Sequence, residues 1–168
     1  FNFESLPVGY KIVANIPYYL TSHLIRSISE TSNPPMLAVL LIQKEVAERL
    51  CALPGQMSIL GLTAQYYFDC KSSILVPARF FTPPPKVDSQ VVQLYRKKKL
   101  KFQKEDEQDF FRLIKAGFSE KRKTLRNSLS GGLGIDKDTA VDLMKKADLD
   151  PGLRAQALSL EDWYKLYA

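Results

Sequence analysis

The sequence contains few of the residues that metal sites, disulfide frameworks and membrane spans require. There is one histidine, His23, and there are two cysteines, Cys51 and Cys70, with no Cys-x-x-Cys spacing and no histidine beside them. We therefore expect no metal site, and we interpret both thiols as reduced core residues of a cytoplasmic protein. A Ser-His-Asp or Cys-His arrangement could use only His23, and no neighbouring residue supports one. The longest apolar run, Met36 to Ile42, is far below the ~20 residues that cross a bilayer.

Glycine is also scarce where a nucleotide-binding loop would need it. The eight glycines include Gly131, Gly132 and Gly134, but these follow a helical pattern rather than a strand. We interpret SGGLG as the end of a helix and the loop after it. The chain begins with FNFESLP, without Met, and enters a strand pattern at once. We therefore expect it to be a fragment of a longer domain, with an unpaired strand edge that favours instability or self-association.

The sequence contains enough apolar residues to form a core, and the spacing of these residues differs between the two parts of the chain. The 168 residues are 45% apolar and 25% charged. Residues 1–101 alternate strand and helix patterns, which predicts an α/β layered sheet. The predicted strands are 11–15, 37–42, 73–76 and 87–95, and the predicted helices are 21–29, 44–51 and 59–67. Residues 102–168 carry helix patterns at 105–118, 123–129, 138–147 and 160–166, which predicts a small all-α domain.

The net charge of +6 is concentrated in one stretch of the chain. Arg96 to Arg126 contains 12 basic and 5 acidic residues, whereas the remainder contains 12 basic and 13 acidic residues. A solvated helix face is one explanation of such a run. The blocks RKKKLK and KRKTLR instead favour binding to a nucleic acid.

A candidate site lies at Asn15-Ile16-Pro17-Tyr18, where the first strand ends. The Asn15 side-chain oxygen and the Pro17 backbone carbonyl could each accept one N–H bond from the exocyclic amino group of a nucleobase. Two such acceptors would stabilise the positive charge that develops on that nitrogen as it takes up a methyl group. Tyr18 would stack on the flipped-out base. The alternative is a simple strand-exit turn with Tyr18 as a core aromatic.

A second aromatic source is the proline-rich loop FTPPPKVDS, which begins at Phe81. A rigid loop of this kind could present Phe81 to the other face of the same base. The alternative is that Phe81 anchors the loop by hydrophobic packing. Lys86 in this loop is a weaker candidate for contact with RNA, because a single lysine is usually only solvated.

Five segments together resemble the KsgA-type small-subunit rRNA adenine dimethyltransferases: NIPYY, QKEVAERL, FTPPPKVDS, FSEKRKTLRNSL and LRAQALSLEDW. The resemblance implies a partial Rossmann-like class I methyltransferase sheet followed by a small all-α C-terminal domain. It implies an S-adenosylmethionine-dependent enzyme that dimethylates N6 of two adjacent adenines in a hairpin near the 3′ end of small-subunit rRNA. Asn15 would also line the methyl-donor site, and Pro17, Tyr18 and Phe81 would hold the adenine.

The same resemblance makes residues 1–101 the target-adenine half of a catalytic domain and residues 102–168 an RNA-binding domain. The expected partner is small-subunit rRNA in the immature small subunit, bound by a monomeric full-length protein. The residues expected to contact RNA are Lys86, Lys121, Arg122, Lys123, Arg126 and Asn127. The strand–Gly-x-Gly–helix turn that binds the donor in this family does not occur in the sequence, so most of the cofactor site is expected to be missing.

Two alternatives remain open. The related Erm-type methyltransferases, which modify large-subunit rRNA, share NIPY but are less similar in FTPPPKVDS and KRKTLRN. The chain could also be a non-catalytic RNA-binding or assembly module, because its basic region is intact whereas the donor site is not.

Overall fold

The computed structural model describes residues 2–168. The chain folds into two compact units, one formed by Phe1–Cys51 with Leu60–Lys99 and the other by Ala52–Ile59 with Leu100–Ala168. Within the described residues, no helix combines the length and the apolar character needed to cross a membrane.

The first unit is a four-stranded sheet with three helices, and the element types follow the sequence prediction. The strands are β1 (Lys11–Asn15), β2 (Leu37–Gln43), β3 (Phe68–Val76) and β4 (Ser89–Arg96); the helices are α1 (Thr21–Glu30), α2 (Lys44–Leu50) and α3 (Ile59–Tyr67). The strand order is β1-β2-β4-β3. β1 and β2 are parallel, and α1 connects them, whereas β4 is antiparallel to both β2 and β3.

β2 is a central strand, as its uninterrupted apolar run predicts. Ala38, Leu40 and Ile42 are fully buried, but the alternate residues are only half-buried. Within the described residues, one face of β2 is therefore more deeply buried than the other. β1 is the edge strand, and Val13 within it is 81% exposed.

α1 begins without a side-chain cap. The residue before the helix is Leu20, in a helical conformation, and Thr21 is the first helical residue. A 3-10 turn over Tyr18–Leu20 leads directly into α1, so the Leu20 and Thr21 N–H groups donate to the carbonyls of Pro17 and Tyr18. These bonds take the place of a side-chain cap, because they satisfy N–H groups that a helix start otherwise leaves free.

The second unit is helical, as predicted, and its described residues contain no strand. Its helices are α4 (Lys104–Gly117), α5 (Leu125–Leu133), α6 (Lys137–Lys146) and α7 (Leu160–Tyr167). Large side chains from all four helices form its core, namely Phe110, Ile114, Leu125, Leu129, Met144 and Trp163.

The segment Ala52–Ile59 groups with the helical unit rather than with the sheet that precedes it in sequence. The Gly55 and Met57 N–H groups both donate to the Gln156 carbonyl, at 2.9 and 3.1 Å. These eight residues therefore belong to the same compact unit as the helices that follow residue 100. The other boundary between the two units falls after Lys99, and the domain boundary predicted from the sequence is residue 101.

The glycines of SGGLG are mostly helical, which corrects their interpretation as a loop. α5 continues through Gly131 and Gly132 to Leu133, and only Gly134, with a φ of +69°, forms the predicted cap. A Cβ on Gly132 would lie 2.6 Å from the Ala116 Cα. Gly132 therefore lets α4 and α5 approach closely, which a one-dimensional pattern does not reveal.

Candidate functional site

The candidate site begins at Asn15, the last residue of β1, which pairs in parallel with Leu41 of β2. The Asn15 side chain is exposed, and within residues 2–168 it makes no hydrogen bond. The next residue, Ile16, is buried, and its N–H donates to the Leu41 carbonyl at 3.3 Å. The strand end is therefore fixed while the Asn15 amide remains available, at the carboxyl ends of two parallel strands where α/β sheets bind ligands.

Pro17 places a backbone carbonyl directly after this amide. The Pro17 carbonyl accepts the Leu20 N–H at 2.9 Å, which holds the turn Tyr18–Leu20 in place. A carbonyl oxygen has two lone pairs, so one acceptor position remains after this bond. Asn15 and Pro17 therefore both retain the acceptor capacity that the sequence analysis requires of them.

Tyr18 is half-buried, and its hydroxyl is held by a residue distant in sequence. The Tyr18 hydroxyl lies 2.9 Å from the Ser89 hydroxyl at the start of β4. Ser89 is only 1% exposed and pairs with Gln43 of β2 and Val76 of β3. Tyr18 is thus neither a fully buried core residue nor a free surface aromatic.

The proline-rich loop lies between β3 and β4 and is fixed by the residue before Ser89. The Asp88 carboxylate accepts the Ala78 N–H at 2.9 Å, and the Asp88 carbonyl accepts the Lys44 N–H at 3.0 Å. Ala78 opens a 3-10 turn that ends at the half-buried Phe81, whose N–H donates to the Ala78 carbonyl. Lys86 is exposed.

These hydrogen bonds connect the two aromatic-bearing segments to one corner of the sheet. The NIPY turn reaches β4 through Ser89, and the loop that carries Phe81 reaches it through Asp88. Asp88 and Ser89 are not among the functional residues that the sequence predicts. The available signal was a polar Asp-Ser pair where a proline-rich loop gives way to an apolar strand.

The predicted RNA-contact helix begins two residues later than expected. Lys121, Arg122 and Lys123 lie in an exposed turn, and α5 begins at Leu125 after the cap residue Thr124. The extended conformation of Thr124, with a ψ of 154°, separates the turn from the helix. Arg126 is exposed in the first turn of α5, and Asn127 is half-buried. We call Lys121, Arg122, Lys123 and Arg126 the basic turn.

In the other basic block, RKKKLK, the first two side chains make contacts within the first unit. The Arg96 guanidinium lies 5.0 Å from the Tyr67 ring centre and 5.4 Å from that of Phe68. The Lys97 ammonium donates to the Gln65 carbonyl at 2.6 Å. These two cations therefore stabilise the first unit, which reduces the charge that the block offers to a polyanion.

Outside the candidate site, several charged and polar side chains make contacts within their own helix. α2 carries ion pairs between Glu45 and Arg49 and between Lys44 and Glu48, the second at 3.7 Å. His23 is exposed, with Nδ1 3.4 Å from the Ser27 hydroxyl. Across residues 2–168, no three side chains of the metal-binding types His, Cys, Asp and Glu gather as a metal site would require.

Residues 5–168 match the ribosomal RNA adenine dimethylase family. A ribosomal RNA small subunit methyltransferase A from Dehalococcoides mccartyi is 41% identical over 159 residues, which are 95% of this chain and 55% of that protein. The protein of the same name from Clostridioides difficile is 40% identical over 156 residues, 91% of this chain and 54% of that protein. The chain spans about half the length of the curated relatives it matches.

Solved structures have the same fold. A dimethyladenosine transferase from Plasmodium falciparum matches with a TM-score of 0.78 and 28% identity, over 96% of this chain and 66% of that one. The 23S rRNA methyltransferase ErmE matches with a TM-score of 0.77 and 22% identity, over 96% and 65%. The second likeness concerns the fold alone.

Proposed function

The chain belongs to the ribosomal RNA adenine dimethylase family, and on that premise we propose that its full-length protein dimethylates N6 of two adjacent adenines in a 3′-end hairpin of small-subunit rRNA. Such a modification would be a step in the biogenesis of the small ribosomal subunit. The observation that carries the proposal is the pair of available acceptors, the Asn15 amide and the Pro17 carbonyl, immediately before the tethered Tyr18.

These residues fit the requirements of methyl transfer to an aromatic amine. The lone pair of an adenine amino group is delocalised into the ring, so the nitrogen is a poor nucleophile. Hydrogen bonds from its two N–H groups to Asn15 and Pro17 favour the pyramidal form, in which the lone pair is available. As the N–C bond forms, the bond between the methyl carbon and the donor's sulfonium sulfur would break, which passes the positive charge from sulfur to nitrogen. The same two dipoles would stabilise that charge until one N–H proton is lost to water.

Tyr18 and Phe81 would hold the extruded base in place. Stacking between aromatic rings compensates for the base–base contacts that are lost when a nucleotide flips out of its stack. Because Tyr18 is tethered by its hydroxyl, its ring has little freedom to follow a misplaced base. Positioning of this kind supplies much of the rate enhancement of a reaction that needs no strong acid or base.

S-adenosylmethionine, when bound, supplies a methyl group on a sulfonium, which makes that carbon electrophilic. Asn15 is the described residue that we assign to the donor side as well as to the adenine. Its exposed amide, which makes no hydrogen bond within residues 2–168, fits such a shared role. The remaining donor contacts are not assigned to any residue of this chain.

The basic turn would bind the rRNA backbone. Lys121, Arg122 and Lys123 are exposed and adjacent, and Arg126 follows on the first turn of α5. Their charges would neutralise phosphates without reading sequence, as is usual for contacts to A-form RNA. Lys86 and Asn127 are secondary candidates, the first beside the target site and the second beside the basic turn.

The test of the proposal is Asn15→Ala in the full-length protein, assayed with labelled methyl donor on small-subunit and large-subunit rRNA. We expect methyl transfer to small-subunit rRNA to fall by about 10²–10³-fold, since one acceptor to the reacting nitrogen is lost. RNA affinity should change less than about twofold, because the basic turn is unaltered. Asn2→Ala, at an exposed asparagine near the start of the chain, is the matched control and should leave transfer unchanged.

Other outcomes of this experiment would decide between the alternatives. Full transfer by Asn15→Ala would contradict the assignment of this residue to catalysis. A wild-type protein that binds RNA without methylating it would support the assembly-module alternative. Preferential transfer to large-subunit rRNA would support an Erm-type target instead.

A further inference from the structure

The side-chain hydroxyl of Ser89 is buried at a position where strand pairing does not require a polar side chain. It is the first residue of β4 and is 1% exposed, with Gln43 and Val76 as its neighbours across the sheet. A buried hydroxyl without a partner costs about 1–3 kcal/mol. The partner of Ser89 is the hydroxyl of Tyr18, 2.9 Å away and 71 positions distant in sequence.

Asp88 makes the equivalent connection for the other aromatic segment. Its Oδ1 accepts the Ala78 N–H at 2.9 Å, at the start of the turn that delivers Phe81. Its backbone carbonyl accepts the Lys44 N–H at the start of α2. One dipeptide therefore fixes both segments that carry the proposed base-holding rings.

We propose that Ser89 and Asp88 are positioning residues. They set the distance between the Tyr18 and Phe81 rings, and thereby the position in which the target adenine is bound. This inference rests on the proposed function. The hydroxyl oxygen of a phenol lies on the long axis of its ring, so a hydrogen bond at that end fixes the direction of this axis and with it the place of the ring. Ser89 acts through the hydroxyl of Tyr18, and Asp88 acts through the backbone of the turn before Phe81; neither has to touch the substrate.

The first test is a double-mutant cycle in the full-length protein, with kcat, the KM for RNA and RNA affinity measured. Ser89→Ala and Tyr18→Phe each break the same hydrogen bond, and Tyr18→Phe retains the ring. We expect each single variant to lower kcat about five- to tenfold, the loss of one buried hydrogen bond, with RNA affinity within about twofold of wild type. The double variant should lose no more than either single variant, because the two changes remove one interaction.

A merely structural role for Ser89 gives a different pattern. Ser89→Ala would then lower the midpoint of thermal unfolding while kcat stays within twofold of wild type, or its loss of kcat would add to that of Tyr18→Phe. Either result overturns the proposal. If Ser89→Ala does not fold, Tyr18→Phe alone decides, and unchanged kcat in that variant also overturns it. Ser73→Ala, at an exposed serine of β3, is the matched control and should leave kcat unchanged.

Asp88 provides a second test, because a conservative substitution retains the acceptor. The amide oxygen in Asp88→Asn can still accept the Ala78 N–H, whereas Asp88→Ala cannot. We expect Asp88→Ala to lower kcat about fivefold and Asp88→Asn to retain most of it. Equal losses in the two variants would contradict a role that depends on the acceptor. If Asn15→Ala abolishes transfer while the Ser89 and Asp88 variants retain full kcat, the positioning inference fails and the proposed function stands.

Discussion

The residues of the candidate site differ in whether their side-chain polar atoms make hydrogen bonds within the protein. The Asn15 amide makes no hydrogen bond within the described residues, although Ile16 beside it is buried. Tyr18 is intermediate, with its hydroxyl bound to Ser89 and its ring half-buried. Chemistry on a bound base requires this combination, since a polar group that is already satisfied within the protein has less to offer a substrate.

The cysteines show the opposite case, in which burial suppresses chemistry. Burial raises the pKa of the Cys70 thiol from 9.0 to about 12, and the proximity of Cys51 and Asp69 adds to the increase, while Lys97 opposes it. Burial also raises the pKa of Cys51. Both thiols are free and half-buried, so neither is the fully buried core residue that the sequence predicts. Neither has the exposure and depressed pKa that reactive cysteines show.

Cys70 should therefore resist alkylation while the protein is folded. At pH 8.5 we expect iodoacetamide to modify Cys70 roughly a thousandfold more slowly than the same cysteine in urea-unfolded protein, because the thiolate is the reactive form. Mass spectrometry of quenched samples measures both rates. Comparable rates in the two states would show that the thiol is neither buried nor protonated.

The same shift has a consequence for stability. Because the unfolded thiol loses its proton near pH 9 and the folded one near pH 12, the unfolded state binds fewer protons between these values. The contribution of Cys70 to stability is therefore complete below pH 9 and is lost as the pH rises toward 12. A Cys70→Ala variant should show a shallower loss of stability over this window.

At the level of elements, two neighbouring glycines of α5 differ in whether the contact between α5 and α4 requires them. Helix propensity favours alanine at both positions. Gly131 and Gly132 both lie within α5, where alanine is intrinsically favoured over glycine. A Cβ at Gly132 would collide with the Ala116 backbone at 2.6 Å, whereas at Gly131 the nearest atom is a flexible Glu120 oxygen at 3.6 Å. The packing of α4 on α5 therefore requires glycine at one position only.

Alanine substitutions at these two glycines should change stability in opposite directions. We expect Gly132→Ala to lower the free energy of unfolding by about 2 kcal/mol or more, through forced separation of α4 and α5. Gly131→Ala should raise it by about 0.5 kcal/mol. Urea denaturation of both variants measures the difference. A Gly132→Ala variant as stable as wild type would contradict the close approach of the two helices.

For the whole molecule, the distribution of charge matters more than the net value of +6. Arg96 and Lys97 pack against the first unit, whereas the basic turn is exposed and makes no ion pair within residues 2–168. A polyanion would therefore bind mainly to the cations of the basic turn, which do not pack against other parts of the protein. Exposed cations of this kind bind phosphates by releasing counterions.

Removal of the basic turn should weaken RNA binding by the full-length protein without affecting its fold. We expect Lys121→Ala, Arg122→Ala and Lys123→Ala together to lower RNA affinity about tenfold or more and to reduce the slope of log K against log salt by about 2 to 3. A triple alanine variant of Lys137, Lys145 and Lys146, which are exposed on α6, is the charge-matched control. Equal losses in the two triple variants would indicate non-specific attraction rather than a defined surface.

The local features of this protein follow from residues that are neighbours in the sequence. The NIPY turn ends a strand because proline excludes its predecessor from helix geometry, and the element types follow from apolar spacing. These features depend on residues a few positions apart, which is why most of their boundaries lie within two residues of the structure. The exceptions are β3, which begins at Phe68 rather than at 73, and α5, which ends at Leu133 rather than at 129. The order of the motifs was likewise sufficient for the family resemblance, which the match over residues 5–168 confirms.

Tertiary structure alone decides the features that join distant segments. The Tyr18–Ser89 bond spans 71 positions, the segment Ala52–Ile59 pairs with Gln156, and Gly132 is set by the approach of Ala116. Sequence periodicity carries no information about such pairs, because each member satisfies its local pattern equally well with other partners. The target site can therefore be proposed from local sequence. The hydrogen bonds by which Asp88 and Ser89 hold its aromatic segments are visible only in the tertiary structure.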